Sequence, residues 1–171
     1  MTIKIWKIVL ETLQVFGIFG GAAWVYWRFL GERVHAPQVE FSVEAVLHGP
    51  SGNQYAAEYV LTFENKGKTR VQTDKIELRV RGIKRGEHLN YWEGKPERLL
   101  FPQELVKNRA VIPETYGYTF FEPGIKQEYR YISLVDTDYQ FIVVRGQFFY
   151  AKGNTHSAER VVTVKANETT C

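Results

Sequence analysis

The fold is decided by the stretch from Tyr59 to Val80, which reads YVLTFENKGKTRVQTDKIELRV. Two runs of alternating apolar and polar residues flank the segment ENKGK, in which Asn65 and Gly67 supply turn chemistry. In the second run, KIELRVRGIKR at 75–85, the alternation places apolar and charged side chains on opposite faces of one strand. The stretch therefore predicts two strands joined by a turn.

Similar strand patterns continue along the chain and are separated by short turn signals. The predicted strands are 39–47, 55–63, 75–85, 116–121, 127–134, 139–151 and 159–165. A short helix is predicted near Gln103–Lys107, between two prolines. About seven strands at this spacing indicate an all-β domain over 39–165, an antiparallel β-sandwich, followed by a flexible tail over 166–171.

The N-terminal segment differs from the rest in its apolar character. Twenty residues separate Lys7 from Arg28, and the only charge among them is Glu11. Twenty helical residues are about 30 Å long, which matches the hydrocarbon thickness of a bilayer, and tryptophans lie at both ends. We expect a single transmembrane helix over 1–33 and a connector over 34–38. A cleaved signal peptide and a helix lying in the membrane interface are the alternatives.

Polar and small residues of this helix share one face. At about 100° per residue they fall within an arc of about 120°. The residues in this arc are Lys7, Glu11, Gln14, Gly17, Gly21 and Arg28. Because Gly17 and Gly21 form a G-x-x-x-G pair that permits close backbone approach, we expect self-association through Glu11, Gln14, Gly17 and Gly21. A plain anchor, in which the motif occurs by chance, and a polar-lined pore are the alternatives.

The quoted stretch resembles the strand–N-x-G–strand core of bacterial immunoglobulin-like domains. FEPGIKQEY at 121–129, a Pro-Gly turn ahead of an alternating strand, is similar to them as well. An N-terminal anchor followed by such a domain over 38–165 resembles uncharacterised bacterial single-pass membrane proteins. The resemblance implies the fold and the membrane anchoring, and it carries no catalytic residues.

Catalytic and metal-binding patterns are weak in this sequence. The four histidines are far apart, and the only cysteine is the last residue, Cys171, so an internal disulfide is impossible. Asp136 and Asp138 form a D-x-D pair that a turn between strands explains better than a cation does. We therefore expect no enzyme activity, no metal site and no cofactor.

A cluster of basic residues stands out between positions 66 and 85. Its members are Lys66, Lys68, Arg70, Lys75, Arg79, Arg81, Lys84 and Arg85. A solvated, edge-protecting face of a sheet is one interpretation. Contact with anionic lipid headgroups or capture of a phosphate-bearing ligand are the functional ones. Tyr91 and Trp92 are placed either to stack on a base or to join the core. The net charge of +3 is too small to indicate binding of a nucleic-acid duplex.

These patterns predict a non-enzymatic, membrane-anchored binding module that self-associates through its helix. The alternative is a ligand-gated membrane effector of a bacterial signalling or defence system that senses an anionic, nucleotide-like molecule. Expected partners are membrane lipid, further copies of the chain, and an unidentified protein or anionic small molecule. The lack of disulfides and the basic cluster favour an inner-membrane protein with a cytoplasmic domain, although basic residues flank both ends of the helix equally.

Overall fold

Two structural units make up the chain, one over residues 1–36 and the other over residues 37–171. The computed structural model describes residues 2–31, 38–94, 98–151 and 153–166. Most of the predicted connector (34–38) and of the predicted tail, with Cys171, lies outside the described residues.

The first unit contains the helix α1, which runs from Thr2 to Gly31. Every side chain described between Glu11 and Arg28 is exposed, including large apolar ones such as Phe16, Phe19 and Trp27. In the described part of the chain, however, no helix is both long enough and apolar enough to cross a membrane. The prediction of a transmembrane span over 1–33 is not supported by this finding.

The second unit is built from ten strands in its described residues. In chain order they are β1 Val39–Ser51, β2 Gln54–Asn65, β3 Val71–Lys84, β4 Tyr91–Trp92, β5 Arg98–Leu99, β6 Gln103–Ala110, β7 Thr119–Phe121, β8 Lys126–Asp136, β9 Tyr139–Tyr150 and β10 Thr155–Thr163. A 3-10 turn, Glu114–Tyr116, precedes β7. All strand pairs are antiparallel.

These strands form two main sheets and one small hairpin. Sheet A has the order β1-β2-β8. Sheet B has the order β10-β9-β3-β6, and β7 pairs with the start of β3. The strands β4 and β5 pair only with each other. The prediction of an all-β sandwich is confirmed, although about seven strands were expected.

Aromatic rings join the two sheets. Phe41 and Phe63 of sheet A stack with 4.5 Å between their ring centroids. The ring of Phe148 of sheet B is nearly perpendicular to both, and its centroid lies 5.4 Å from each of theirs. Phe121 stacks on Phe63 at 4.7 Å. Such pairs add to the stability that the burial of the rings already provides. In β3, the face that alternation predicted to be apolar, with Ile76, Leu78 and Val80, is the face that is buried in the core.

Gly146 allows the sheets to approach each other at one point of this core. A Cβ atom at this position would lie 2.6 Å from the ring of Phe41 and 2.7 Å from Val43. No side chain fits there, so the glycine sets the spacing between β9 and sheet A.

The turn chemistry expected at ENKGK is present. The buried Asn65 accepts a hydrogen bond from the backbone N–H of Gly67 through Oδ1 at 2.9 Å. Its Nδ2 donates to the carbonyls of Thr69 and Phe121 at 2.8 and 2.9 Å. A single side chain therefore ties the β2–β3 turn to β7.

The short helix predicted near Gln103–Lys107 is wrong, because these residues begin the strand β6. Val106 is buried opposite Val80 of β3, and Glu104 lies opposite Arg81. The flanking prolines suited either structure. Hydrogen bonding to β3, which is distant in sequence, decides in favour of the strand.

Candidate anion-binding pocket

A pocket of about 490 Å³ lies on the outer face of sheet B, beside the β4–β5 hairpin. Strands β3, β9 and β10 contribute Arg79, Arg81, Val143, Arg145, Glu159 and Val161. The hairpin and the segment after it contribute Trp92, Arg98, Leu99, Leu100 and Phe101. Four arginines thus surround the pocket, and one carboxylate, that of Glu159, opposes them.

The strand register arranges the sheet residues of this pocket in two rows. Arg145 lies opposite Arg79 on one side and opposite Glu159 on the other. In the next row, two residues along each strand, Val143 lies between Arg81 and Val161. The first row is therefore charged, whereas the second is apolar except for Arg81. Like charges in directly opposite positions of two strands destabilise a sheet unless an anion lies near them.

Glu104 of β6 neutralises only one of the two β3 arginines. In the register it lies opposite Arg81. Its Oε1 nevertheless accepts from Nε of Arg79 at 3.0 Å and lies 2.9 Å from NH2 of the same guanidinium. Among the residues that the structure describes, Arg81 has neither an ion pair nor a hydrogen bond through its side chain.

Arg145 is only partly satisfied. Its NH1 lies 3.4 Å from Oε1 of Glu159, a long ion pair. Its Nε is buried and has no hydrogen-bond partner in the described part of the chain. A buried donor without a partner costs about 1–3 kcal/mol, and more when the group is charged. This donor is one of two such side-chain atoms, the other being Oε1 of Gln127.

Trp92 brings an aromatic ring to the pocket and is 52% exposed. The far side of its ring lies against Gly94, where a Cβ atom would approach three ring carbons to 2.3–2.5 Å. The absence of a side chain at Gly94 thus fixes how the indole lies. The residue therefore keeps surface that is available for contact.

The other predicted basic residues lie outside the pocket and have local roles. Lys66 pairs with Glu64 and lies 3.8 Å from Glu40. Arg70 lies 2.6 Å from Glu122, and its guanidinium covers the ring of Phe120 at 4.4 Å.

Two basic residues of β3, and a third just after it, have contacts of their own. Lys75 pairs with Glu77 at 2.5 Å, and Lys84 lies 5.9 Å from the ring of Tyr139. Arg85 donates to the carbonyls of Thr137 and Val164 at 3.1 and 2.6 Å. Lys68 does not line the pocket either. Of the eight residues, the structure brings only Arg79 and Arg81 to one site.

Three charged residues of the pocket were not among the predicted site residues. They are Arg98, Arg145 and Glu159. Arg145 carried a local signal, since it is the only charged residue in the apolar run of β9. Its position opposite Arg79 depends on strand register, which the sequence does not show.

The outer face of sheet A has a different electrostatic character. The carboxylate of Glu58 accepts from Arg130 at 2.9 Å and lies 3.1 Å from Nε2 of His48. Glu128 lies 3.2 Å from the same arginine and 3.1 Å from Nζ of Lys126. The hydrogen bond to His48, followed by that from Arg130, lowers the pKa of the Glu58 carboxyl.

Predicted residues of the helix are exposed, and the D-x-D pair is in a turn. Glu11, Gln14, Gly17 and Gly21 all lie on the accessible surface of α1. Asp136 accepts from Nε2 of Gln54 at 2.8 Å at the end of β8. Within the described residues no group of three or more His, Cys, Asp or Glu side chains is placed to hold a metal ion.

No protein-family model matches the sequence, and no curated protein matches it. Among solved structures, the chain is similar to a protein of Bordetella pertussis that carries the provisional name ApaA, with 16% identity and a TM-score of 0.44 over 78% of this chain and 97% of that one. It is also similar to the sporulation control protein Spo0M of Bacillus subtilis, with 12% identity and a TM-score of 0.46 over 74% of this chain and 50% of that one. A protein of Archaeoglobus fulgidus gives 9% identity and a TM-score of 0.32 over 75% and 98%. Similarities this low carry no argument about function.

Proposed function

We propose that the chain is a non-enzymatic binding module whose β-sandwich holds an anionic ligand and whose helix attaches it to lipid and to further copies of itself. One observation carries the ligand part of the proposal. Four arginines and one carboxylate line the pocket on sheet B, and the buried Nε of Arg145 has no partner among the described residues.

A phosphate group suits this pocket because of guanidinium geometry. Arginine presents its N–H donors in a planar fork that matches phosphate oxygens, and charge-assisted hydrogen bonds are about twice as strong as neutral ones. An anion between Arg79 and Arg145 would relieve the repulsion of this facing pair. The volume of about 490 Å³ falls within the usual range of about 300–1,000 Å³ for ligand pockets.

We propose binding without catalysis because of the types of residue that line the pocket. The described lining residues include no histidine, cysteine, serine or threonine. Its single carboxylate, on Glu159, lies beside Arg145 and is poorly placed to act as a base. Arginine stays protonated and serves as an electrostatic contact.

The attachment part of the proposal depends on the exposed apolar surface of α1. Trp6, Phe16, Phe19, Trp24 and Trp27 are each at least 62% exposed. A surface of this kind marks contact with lipid or with another protein. We place the helix at a bacterial inner membrane, with the sandwich on the cytoplasmic side.

Calorimetry with inorganic phosphate and pyrophosphate tests the ligand part. The full chain is compared with Arg145→Ala, which deletes one of the two guanidinium groups that face each other in the charged row, and circular dichroism verifies that each variant is folded. We expect at least a tenfold loss of affinity. Arg130→Ala is the matched control on sheet A and should bind as the parent chain does. Equal affinity in all three proteins would exclude the pocket on sheet B as the anion-binding site.

Flotation with phosphatidylcholine vesicles tests the lipid part. In the variant Phe16→Lys plus Phe19→Lys, two side chains that are 73% and 70% exposed become charged, so no internal contact is lost. The parent chain is expected to float with the vesicles and the variant to remain at the bottom of the gradient. Equal flotation of both proteins would show that α1 does not bind lipid through this face.

Crosslinking and elution volume in detergent test self-association. A Cβ atom at Gly17 or Gly21 meets nothing within 4 Å in one chain, so Gly17→Ile plus Gly21→Ile costs no internal contact. We expect a smaller oligomer, because bulk at these positions prevents close helix approach. The control is Gly20→Ile plus Ala23→Ile, which adds the same bulk outside the polar arc. An unchanged pattern in the first variant would exclude this interface.

A ligand-gated effector is the second candidate function. The observation in its favour is that an exposed apolar helix and an arginine-lined pocket occur in separate units of one chain. In that function, binding of a nucleotide-like anion by the sandwich would alter the assembly of α1. Ligand-dependent leakage of a dye from vesicles would support it over the simple binding module, and ligand-independent behaviour would exclude it.

We also propose that the sandwich is of the immunoglobulin-like type. Its support is the pair of antiparallel sheets with a core of alternating inward residues, together with the N-x-G turn between β2 and β3. The same resemblance would place the chain among bacterial proteins that carry such a domain behind an N-terminal anchor.

A further inference from the structure

We propose that the pocket selects a phosphate that is attached to a planar ring, as in a nucleotide. This inference rests on the proposed anion binding and adds an orientation to it. The phosphate lies at the charged row of Arg79 and Arg145, and the ring lies over the apolar row and against Trp92.

The first reason for this inference is that the sheet residues of the pocket form two rows. Strand residues two positions apart are separated by roughly 7 Å. The row of Arg79, Arg145 and Glu159 therefore lies about that distance from the row that contains Val143 and Val161. A phosphate on a compact linker spans such a gap, so one molecule can contact both rows.

The second reason is the surroundings of the apolar row. Leu99, Leu100 and Phe101 line the pocket together with the indole of Trp92, so part of its wall is apolar. Bare phosphate or sulfate would leave this surface unused. A ligand with an apolar part therefore fits the whole pocket, whereas a simple ion fits only the charged row.

The third reason is the packing of Trp92, which favours a ligand with a planar ring. Because the indole is held against the bare backbone at Gly94, it presents a flat surface. Flat aromatic surfaces stack on planar rings and discriminate little between them. A guanidinium also stacks on a ring, and Arg81 and Arg98 line the same pocket.

Trp92 supplies its own signal for the test. The chain has four tryptophans, and the other three, Trp6, Trp24 and Trp27, lie in α1. The full chain with these three changed to Phe has Trp92 as its only indole. Its fluorescence is titrated with adenosine monophosphate, adenosine, glycerol 3-phosphate, inorganic phosphate and phosphatidic acid vesicles.

The inference predicts that adenosine monophosphate binds about tenfold more tightly than inorganic phosphate and quenches Trp92. Adenosine alone should bind weakly. Gly94→Ala should remove most of the tenfold preference while leaving phosphate affinity unchanged, because the added Cβ displaces the indole ring. Phosphate binding to the Gly94→Ala variant is followed by calorimetry and also verifies that the variant is folded.

Different results would overturn different parts of the argument. Equal affinity for phosphate and adenosine monophosphate would refute ring selection and leave anion binding in place. Glycerol 3-phosphate binding as tightly as adenosine monophosphate, or phosphatidic acid vesicles quenching Trp92 where phosphatidylcholine vesicles do not, would identify a lipid headgroup as the ligand and refute the planar ring. Failure of every phosphate compound to bind would refute the proposed function together with this inference.

Discussion

The outer faces of the two sheets both carry charged side chains, but the charges are paired differently on each. On sheet A, Arg130 lies between Glu58 and Glu128, and Lys126 lies beside Glu128. On sheet B, Arg145 faces Arg79, and Arg81 has no side-chain partner among the described residues. Alternation alone accounts for charged residues on both faces, so the difference between them needs another cause.

Paired charges and an excess of one charge have different physical effects on a protein surface. Exposed pairs such as those of sheet A contribute about 0–1 kcal/mol each and mainly keep the surface soluble. An excess of guanidinium groups in a hollow instead raises the local potential and attracts anions. The contrast supports the proposal that the arginines of sheet B serve a ligand.

The largest expected effect is the loss of anion binding when the charge of sheet B is reversed. Arg79→Glu plus Arg81→Glu should weaken binding of adenosine monophosphate at least 100-fold, since the phosphate contact of Arg79 becomes repulsive and a second positive charge of the pocket is reversed. Lys126→Glu plus Arg130→Glu applies the same change to sheet A and should alter affinity less than twofold. Calorimetry measures both variants, and circular dichroism verifies their folding. Equal losses would mean that the two faces do not differ.

A smaller effect of opposite sign is expected at the single carboxylate of the pocket. Glu159→Gln removes the negative charge that lies 3.4 Å from Arg145, so phosphate should bind about three- to tenfold more tightly. Glu128→Gln is the control on sheet A and should leave phosphate affinity unchanged. Weaker binding after Glu159→Gln would show that the carboxylate supports the ligand and does not compete with it.

The smallest expected effect concerns the stability of sheet A in acid. Hydrogen bonds from His48 and Arg130 hold the pKa of Glu58 below its ordinary value of 4.5. Because the folded pKa is the lower one, the contribution is complete above the unfolded value and is lost as pH falls through the folded value. Glu58→Gln should therefore lower Tm by about one to two degrees at pH 7 and by less at pH 3. An equal decrease in Tm at pH 7 and at pH 3 would show that the ionisation of Glu58 is not its cause.

The sequence predicted those features that depend on neighbours along the chain. Alternation located β1, β2, β3, β8, β9 and β10, and the N-x-G segment located the turn that Asn65 closes. Arg79 and Arg81 were found because they lie two residues apart on one strand. Neither observation required knowledge of the sheet order.

Features that depend on strand pairing were missed. Arg145 and Glu159 join Arg79 only because β9 lies between β3 and β10. The strand β6 was predicted as a short helix because its partner β3 lies about 25 residues earlier. The hairpin of β4 and β5 has two residues in each strand, too few for alternation to be recognised.

Arg85 has a consequence for how the protein behaves in concentrated solution. Its guanidinium holds the carbonyl of Val164, just after β10, and the carbonyl of Thr137, in the β8–β9 turn. The strand β10 is the edge of sheet B, and an edge that frays offers unpaired backbone groups to other chains. The two hydrogen bonds of Arg85 hold the end of β10 in place, which opposes fraying of this edge and the intermolecular strand pairing that fraying would allow.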